Sequence, residues 1–419
     1  MKNESVELKQ LALAARRASL RLADADPAMK NRALLEMARL LRDRTGAILA
    51  ANQSDMERGR AGKLSAALLD RLLLTEDRLA TLAKGIEEIA ALPDPVGEIS
   101  PLTKRPNGLL VGRMRIPLGV ILMIYEARPG VAADAAALCL KAGNAVILRG
   151  GSDAADSNRM FGDVLRSALD ETGLPVDAVT VVDRGGHESI AELLRFDEEI
   201  DLVIPRGGEG LIRFVAEHSR IPVLKHYKGV CHLFVDRDAD PQMAVDLALN
   251  GKVQRPGVCN AVETILFHED CAPELLPLVC RELADHGVRI RGDARTRQLY
   301  PPAEAATEAD WPAEYLDLIV AVRVVPDLDE AIAHIRKYGS NHTEAIVTEH
   351  YESAMKFLRR VGSSTVLINA STRFADGQQL GLGAEIGIST TKLHAYGPMG
   401  LEGLTTQKFI VFGDGQVRE

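Results

Sequence analysis

Residues 119–148 read GVILMIYEARPGVAADAAALCLKAGNAVIL, and they give the strongest indication of the fold. The apolar segment Gly119–Tyr125 is followed by the helix-like Val131–Ala142 and then by a second apolar segment, Asn144–Leu148. Short apolar strands that alternate with helices are typical of a parallel sheet covered by helices on both faces. The same alternation continues further along the chain, at Ala178–Val182 and Leu202–Ile204.

The segments on either side extend this pattern. The first hundred residues predict helices, because apolar residues recur at helical spacing in stretches such as Met29–Leu49. On the carboxyl side, a strand, a helix and another strand predict a second α/β unit: Cys231–Val235, about Pro241 to Leu249, and Val262–Phe267. We interpret Pro301–Ala313, which is rich in Pro, Ala and Glu, as a surface insertion.

A small β element completes the predicted architecture. Leu102–Ile116 contains Pro106-Asn107-Gly108, and an Asn-Gly pair between strand-like residues is typical of a hairpin turn. The tail segment Lys408–Phe412 is a further predicted strand that could pair with this hairpin. The fold class that we predict is therefore α/β, with two open-sheet domains and a small β element.

Composition excludes several classes of protein. The 419 residues suit two or three domains, and a net charge of −9 with a pI near 5.7 argues against nucleic-acid binding. No apolar run approaches the roughly 20 residues that a membrane-spanning helix needs. Met1–Ser5 does not resemble the start of a signal peptide, and the five scattered cysteines form no CxxC pair. We expect a cytoplasmic protein with reduced thiols and no membrane partner.

Cys259 is the cysteine that best suits catalysis. It lies in Arg255-Pro-Gly-Val-Cys259-Asn260, a Pro-Gly loop between a predicted helix and a predicted strand. The nearby charges of Arg255 and Lys252 could lower the pKa of its thiol, as a nucleophile requires. The spacing of these residues is equally compatible with the alternative that Cys259 is an unreactive loop cysteine. We interpret the other cysteines as structural: Cys139, Cys231, Cys271 and Cys280.

Two turns that follow predicted strands are candidates for binding phosphate. Gly207-Gly208-Glu209-Gly210 precedes a helix, so its backbone N–H groups could face an anion, although it does not complete the dinucleotide fingerprint. Arg149-Gly150-Gly151-Ser152 puts a guanidinium where ligands bind in parallel sheets. Either turn could instead be purely structural. The spacing of His226, Cys231 and His232 lacks a second ligand pair, and we expect no metal.

Three further stretches carry a resemblance to a known family. The first combines Val325–Ala331, His334-Ile335, Tyr338–Ser340 and His342–Glu344 with Ile346; the second is Asn369–Gly377. The third combines Gly381–Gly387, Thr391–His394 and Gly397–Leu401. Together they resemble the aldehyde dehydrogenase superfamily, and within it the gamma-glutamyl phosphate reductase family, over essentially the whole chain.

The resemblance implies a domain plan. Residues 1–102 and 119–227 would form a nicotinamide-cofactor domain, 228–400 a catalytic domain, and 103–118 with 401–419 an oligomerisation element. It implies an enzyme that forms a homo-oligomer. An association with glutamate 5-kinase, which would supply the substrate, is a further hypothesis.

The resemblance also assigns roles to residues. Cys259 falls at the position of the nucleophile and Glu314 at that of the glutamate that holds the nicotinamide ribose. Arg149 and Ser152 replace a lysine and a glutamate near the adenosine ribose, which favours NADPH over NADH. Gly207 matches the glycine of the nicotinamide loop, and Gly208 replaces the serine that usually follows it. The expected substrate ligands are Arg128, Arg255, Asn369, Ser371 and Arg373.

Two departures from the superfamily pattern favour a particular reaction. The glutamate that activates water in hydrolytic members should fall near Leu224 or Lys225, and no carboxylate stands there. The side-chain asparagine of the oxyanion hole aligns with Ala127. The resemblance therefore implies NADPH-dependent reduction of L-glutamyl 5-phosphate to L-glutamate 5-semialdehyde through a cysteine thioester, the second step of proline biosynthesis from glutamate. A hydrolytic aldehyde dehydrogenase and a non-catalytic relative remain the alternatives.

Overall fold

The computed structural model describes residues 2–183, 185–225 and 228–418. The chain divides into two compact units. The first unit comprises Met1–Lys225, Gly381–Gly387 and Met399–Glu419, and the second comprises His226–Leu380 and Ile388–Pro398. Among the helices of the described residues, none has both the length and the hydropathy to cross a bilayer.

The first unit is built on a four-stranded parallel sheet. Its strands lie in the order β5-β4-β3-β6 and include the two apolar segments that indicated the fold: β3 (Val120–Tyr125), β4 (Ala145–Gly150), β5 (Val179–Val181) and β6 (Leu202–Arg206). All residues of β3 and β4 are buried, as continuous apolar strands require in a covered parallel sheet. The predicted alternation of strands and helices is confirmed in this unit.

Helices form the rest of the first unit. The bounds are α1 (Lys2–Ala23), α2 (Pro27–Asp43), α3 (Thr45–Ala61), α4 (Ala66–Leu72), α5 (Glu76–Ala91), α6 (Gly130–Lys141), α7 (Ala155–Glu171), α8 (His187–Leu193) and α9 (Glu209–His218). The predicted helical pattern of Met29–Leu49 is confirmed, and it spans two helices that are separated by a break at Arg44. Thr45 donates to the Leu41 carbonyl at 3.0 Å, a contact that competes with regular helical bonding. The apolar stripe still faces the core, since Leu34, Met37, Leu41 and Ile48 are fully buried.

The small β element is also present. Strands β1 (Thr103–Lys104) and β2 (Leu110–Pro117) pair antiparallel around a turn in which Gly108 has a φ of +87°, which confirms the Asn-Gly hairpin. The last strand of the chain, β16 (Thr405–Phe412), pairs antiparallel with the whole of β2. The predicted pairing of tail and hairpin is therefore confirmed.

The second unit contains a seven-stranded sheet whose described pairings are parallel. Its strands lie in the order β10-β9-β11-β8-β7-β12-β13. The strand bounds are β7 (Cys231–Val235), β8 (Val262–His268), β9 (Arg289–Gly292), β10 (Glu304–Ala305), β11 (Ile319–Val325), β12 (Thr343–Val347) and β13 (Thr365–Ile368). The helices are α10 (Pro241–Val253), α11 (Ala272–Asp285), α12 (Ala294–Leu299), α13 (Leu328–Tyr338) and α14 (Tyr351–Arg360). Two short strands, β14 (Gly387–Ser389) and β15 (Gly397–Met399), pair separately.

Most of Pro301–Ala313 is exposed, as the predicted surface insertion requires, but part of the segment packs against the edge of the sheet. It contains β10, which extends the sheet by pairing with β9, and Trp311 is only 7% exposed. The buried Asp310 carboxylate explains why a polar segment packs inward: it accepts hydrogen bonds from the Arg291 guanidinium, from Thr307 and from the Tyr315 hydroxyl. Satisfied in this way, a carboxylate can be buried in a sheet edge without an unpaired charge.

Candidate active site

Cys259 lies at the amino edge of the second unit's sheet. Helix α10 runs down to Val253, and the connecting loop passes through Cys259 before β8 begins at Val262. The thiol-bearing residue is half-buried, whereas its neighbour Asn260 is 5% exposed. Because parallel strands begin at one edge, the residues that precede the neighbouring strands meet this loop.

A fully buried ion pair closes the Cys259 loop. Lys252, in the last turn of α10, and Glu263, in β8, are both 0% exposed, and Lys252 Nζ lies 2.7 Å from Glu263 Oε2. Burial raises the pKa of Glu263 to about 7 although the lysine charge opposes this shift. Lys252, one of the two cations that the sequence places near Cys259, is therefore paired with Glu263.

The same pair reaches a second segment that touches the loop. Glu263 Oε1 accepts a hydrogen bond from the Leu316 N–H at 3.3 Å, and Leu316 has an unusual φ of +53°. Two residues earlier, Glu314 Oε1 accepts from the Gly229 N–H at 2.8 Å. Gly229 packs so closely that a Cβ there would overlap the backbone carbonyl of Cys259. Polar contacts thus connect the Lys252–Glu263 pair, through the segment of Glu314 and Leu316, to Gly229 and the backbone of Cys259.

Arginines supply positive charge beside the thiol. The Arg373 guanidinium bonds to the Asn260 side-chain oxygen, and its Nε donates to Gln254 Oε1 at 2.8 Å. Burial lowers the pKa of Arg373 and the Arg255 charge lowers it further, while the charges of Asp376 and Cys259 oppose this shift. Arg373 is therefore close enough to interact electrostatically with Cys259.

The other two predicted substrate ligands of this unit make different contacts. The Asn369 amide exchanges two hydrogen bonds of 2.9 Å with the Thr348 backbone, beyond the carboxyl end of β12. Ser371 is buried and caps a short turn by accepting from the Arg373 N–H at 3.3 Å. In this structure their polar groups therefore support the segment that carries Arg373.

The sheet of the first unit has a topological switch point at its carboxyl edge, between β3 and β6. The chain proceeds from β3 outward through β4 and β5 and then returns to add β6 on the other side of β3. Ligands bind at such switch points in open α/β sheets. Gly207 and Gly208 lie there at the start of α9, and the Gly208 N–H donates to Glu126 Oε2 at 2.8 Å. A carboxylate of the chain itself thus shows that this helix start accepts an anion.

Arg149 and Ser152 follow in the adjacent strand and turn. Arg149 is 5% exposed, and its guanidinium donates to the carbonyls of Gly150, Gly185 and Gly186 and to the Ser189 hydroxyl. These acceptors are neutral, so the buried cation remains a favourable neighbour for an anion. Ser152 is exposed and begins a turn that leads into α7.

The remaining candidates lie in two other loops of the first unit. Arg128 is exposed in the loop between β3 and α6, next to the buried Ala127, whose φ of +41° is rare for a residue with a side chain. Leu224 is buried, and its N–H donates to the Val203 carbonyl at 3.0 Å. Lys225 is half-buried.

Sequence reasoning missed several residues that shape the two sites. Glu263 left a signal, since a carboxylate inside the apolar Val262–Phe267 predicts a buried partner. Glu126 and Gly229 left no such signal in the sequence. Glu126 contacts the start of α9 at Gly208, and Gly229 packs against the Cys259 carbonyl, and both partners are distant in the sequence.

Comparison with known proteins agrees with this geometry. A family model described as "Aldehyde dehydrogenase family" matches residues 2–296. A crystal structure of an acetylating aldehyde dehydrogenase from Geobacillus thermoglucosidasius shares the fold, with a TM-score of 0.71 at 15% identity over 100% of this chain and 98% of that one. The chain belongs to the aldehyde dehydrogenase family, and the predicted fold class is confirmed.

Within that family the relatives point to one group. A protein of Geotalea daltonii named gamma-glutamyl phosphate reductase is 57% identical over 413 residues, which cover 99% of either chain. The crystal structure of gamma-glutamyl phosphate reductase from Thermotoga maritima has a TM-score of 0.97 and 46% identity, covering 99% of this chain and 100% of that one. The predicted resemblance is confirmed.

The buried ion pair should be strongly coupled. We expect Lys252→Met to lower the free energy of unfolding by about 3–5 kcal/mol, because the Glu263 carboxylate would stay buried without its cation. Glu263→Leu should cost a similar amount for the reverse reason. The double variant should recover much of the loss in urea unfolding, since it removes both charges. Additive losses in the double variant would contradict the coupling.

The close approach at Gly229 should make it irreplaceable. We expect Gly229→Ala to lower the free energy of unfolding by about 1–3 kcal/mol or more, because its Cβ would overlap the Cys259 carbonyl. Gly257→Ala is the matched control on the same loop: its Cβ would meet only the Leu316 carbonyl, at an ordinary 3.8 Å. Denaturant unfolding compares the two, and equal losses would show that the contact at Gly229 is not tight.

Proposed function

We propose that this chain reduces L-glutamyl 5-phosphate to L-glutamate 5-semialdehyde and inorganic phosphate with NADPH, the second step of proline biosynthesis. The observation that carries the proposal is Cys259 on an immobilised loop beside two arginines, in a chain 57% identical to a gamma-glutamyl phosphate reductase. An activated anionic acyl group needs this combination of a thiolate nucleophile and fixed positive charge.

Cys259 forms the covalent intermediate. Its thiolate attacks the acyl carbon, the bond to phosphate breaks, and phosphate departs with the electron pair, leaving a thioester. NADPH, when bound, would supply the hydride that adds to the carbonyl carbon of this thioester. The resulting hemithioacetal anion on Cys259 collapses when its C–S bond breaks, which releases the aldehyde and regenerates the thiolate. The close packing of Gly229 against the Cys259 carbonyl supports a fixed backbone at the attacking residue.

The arginines recognise the anionic substrate. Arg373 and Arg255 suit the phosphate, because both act electrostatically at the Cys259 loop. Arg128, exposed in the first unit, suits another anionic group such as the α-carboxylate. Asn369 and Ser371 remain predicted substrate ligands, and their hydrogen bonds support a second role in holding the Arg373 segment.

The first unit fits the cofactor. Its sheet has a switch point, the start of α9 already accepts the Glu126 carboxylate, and the buried Arg149 has only neutral hydrogen-bond acceptors. We assign Gly207 and Gly208 to the nicotinamide loop, and Arg149 with Ser152 to the 2′-phosphate of NADPH. Glu314 would hold the nicotinamide ribose by accepting a hydrogen bond from a ribose hydroxyl. In the structure its Oε1 accepts from the Gly229 N–H.

The remaining assignments complete the proposed biology. Residues 1–102 and 119–227 would serve as the cofactor domain, 228–400 as the catalytic domain, and the sheet of β1, β2 and β16 as the oligomerisation element. Homo-oligomerisation, a cytoplasmic location and an association with glutamate 5-kinase stay predictions.

Phosphate dependence in the oxidative direction tests the proposed reaction. With semialdehyde and NADP⁺ but no phosphate, we expect one NADPH per active site and then arrest, because positions 224 and 225 offer no carboxylate to activate water. Added phosphate or arsenate should restore turnover, measured by NADPH absorbance. Sustained turnover without either anion would make a hydrolytic aldehyde dehydrogenase the better assignment.

A cysteine pair controls that experiment. Cys259→Ala should lose both the burst and the turnover while its affinity for NADPH, measured by fluorescence titration, stays within about twofold. Cys139→Ala removes a buried helix thiol and should keep the burst. A Cys259→Ala enzyme that retains a stoichiometric burst would eliminate the thioester.

Ser152 offers a test of the cofactor assignment. Ser152→Glu should weaken NADPH binding by about tenfold or more relative to NADH, because the new carboxylate would face the 2′-phosphate and disrupt a charged interaction worth roughly 1.5–3 kcal/mol. Thr81→Glu adds the same charge on exposed α5 and should change neither affinity. The measurement is titration of both cofactors without substrate. Equal losses for the two cofactors would remove Ser152 from the 2′-phosphate site.

A further inference from the structure

The contacts of Cys231 distinguish it from the structural cysteines with which the sequence groups it. Cys231 begins β7 at the amino edge of the sheet and is 0% exposed. Its Sγ lies 3.2 Å from the backbone carbonyl oxygen of Cys259, to which the thiol donates a hydrogen bond. Cys139, by comparison, lies within α6 of the other unit.

We propose that Cys231 is a positioning residue for Cys259: its thiol holds the Cys259 carbonyl and thereby fixes the backbone from which the nucleophile projects. The kinetic part of this inference rests on the proposed function, whereas the structural part does not.

The thiol of Cys231 is suited to act as a permanent donor. Burial raises its pKa well above the ordinary value, and the negative charges of Glu344 and Cys259 raise it further. Glu344 is itself held in place, since it accepts from the backbone N–H of His232 and lies 2.8 Å from the ring Nδ1 of the same residue. Cys231 therefore keeps its proton while Cys259 ionises.

The position of the Cys231 sulfur is fixed from the opposite side. Its Sγ lies 3.7 Å from His342 Nδ1, and that nitrogen lies 2.8 Å from the Thr343 hydroxyl. Both residues are fully buried. The Cys231 sulfur therefore contacts the His342 ring as well as the Cys259 carbonyl.

The Cys231 thiol is one of the contacts that hold the Cys259 carbonyl. Gly229 packs against the same carbonyl so closely that a Cβ would overlap it. A partly buried carbonyl that loses a hydrogen-bond donor is destabilised, which favours rotation of its peptide. Rotation of the 259–260 peptide would move the Cys259 side chain relative to the acyl carbon that it attacks, which lowers the rate of attack more than the affinity for substrate.

The experiment compares Cys231→Ala with Cys231→Ser. We expect Cys231→Ala to lower kcat by about twofold to tenfold, as loss of one hydrogen bond implies, with KM for the acyl phosphate within twofold. In hydrogen–deuterium exchange, the amides of residues 254–261 should exchange faster in Cys231→Ala. Cys231→Ser keeps a donor and should restore both kcat and protection. Cys139→Ala, a buried cysteine without this contact, should match the parent in both measurements.

A second pair covers failure of the alanine variant to fold. Cys231→Thr and Cys231→Val have nearly the same volume, but only Thr can donate, so Thr should exceed Val in kcat and in protection of the loop. The inference is overturned if Val equals Thr, or if Cys231→Ala keeps parental kcat and parental exchange. Exchange requires no turnover, so it decides the matter even if the parent enzyme fails to reduce the acyl phosphate.

Discussion

The buried pair of Lys252 and Glu263 is the interaction on which the arrangement around Cys259 depends. Its two members lie on either side of the Cys259 loop, and the second oxygen of Glu263 also holds the Leu316 N–H. Apolar side chains could fill the same volume at a smaller desolvation cost, but they lack the directional hydrogen bonds that fix how the neighbouring segments are oriented. Two hydrogen-bonded oxygens on one carboxylate fix α10, β8 and the Glu314 segment in register. From that segment Glu314 reaches Gly229, and Gly229 packs on Cys259.

This construction has an electrostatic consequence. Cys259 lies in the loop after α10 and not at the amino end of a helix, which is where nucleophilic cysteines often gain a low pKa. Lys252 is paired with Glu263. Under the proposed function, Arg373 and Arg255 would supply the positive charge for a thiolate. The hydrogen bonds from Arg373 to Asn260 and Gln254 hold its flexible side chain in place.

How far the sequence predicts the molecule depends on the range of each interaction. Strands such as Val120–Tyr125 and the Asn107-Gly108 turn are local features, and patterning located them. The break at Arg44 cannot be located from patterning because an apolar stripe continues across it, and the burial of Asp310 cannot because it depends on contacts with residues outside Pro301–Ala313 such as Arg291 and Tyr315. Cys259 was singled out by its loop and by the family resemblance, and its role as nucleophile stays a prediction. The contact of the Cys231 thiol with the Cys259 carbonyl left no signal in the sequence, because the two residues are 28 positions apart in the chain.

The proposed reaction also explains why the carboxylates near Cys259 are engaged with other groups. Glu263 is paired with Lys252, Glu314 accepts from Gly229, and Glu344 is bound by His232. An acyl phosphate expels a stable anion, so its leaving group needs no proton, and a thiolate attacks without a base. Negative charge passes from the sulfur to the departing phosphate, and the same arginines stabilise it in both positions. A free carboxylate would add repulsion and could activate water against the thioester. Holding each carboxylate in a hydrogen bond therefore protects the intermediate while leaving the two cations to bind the substrate.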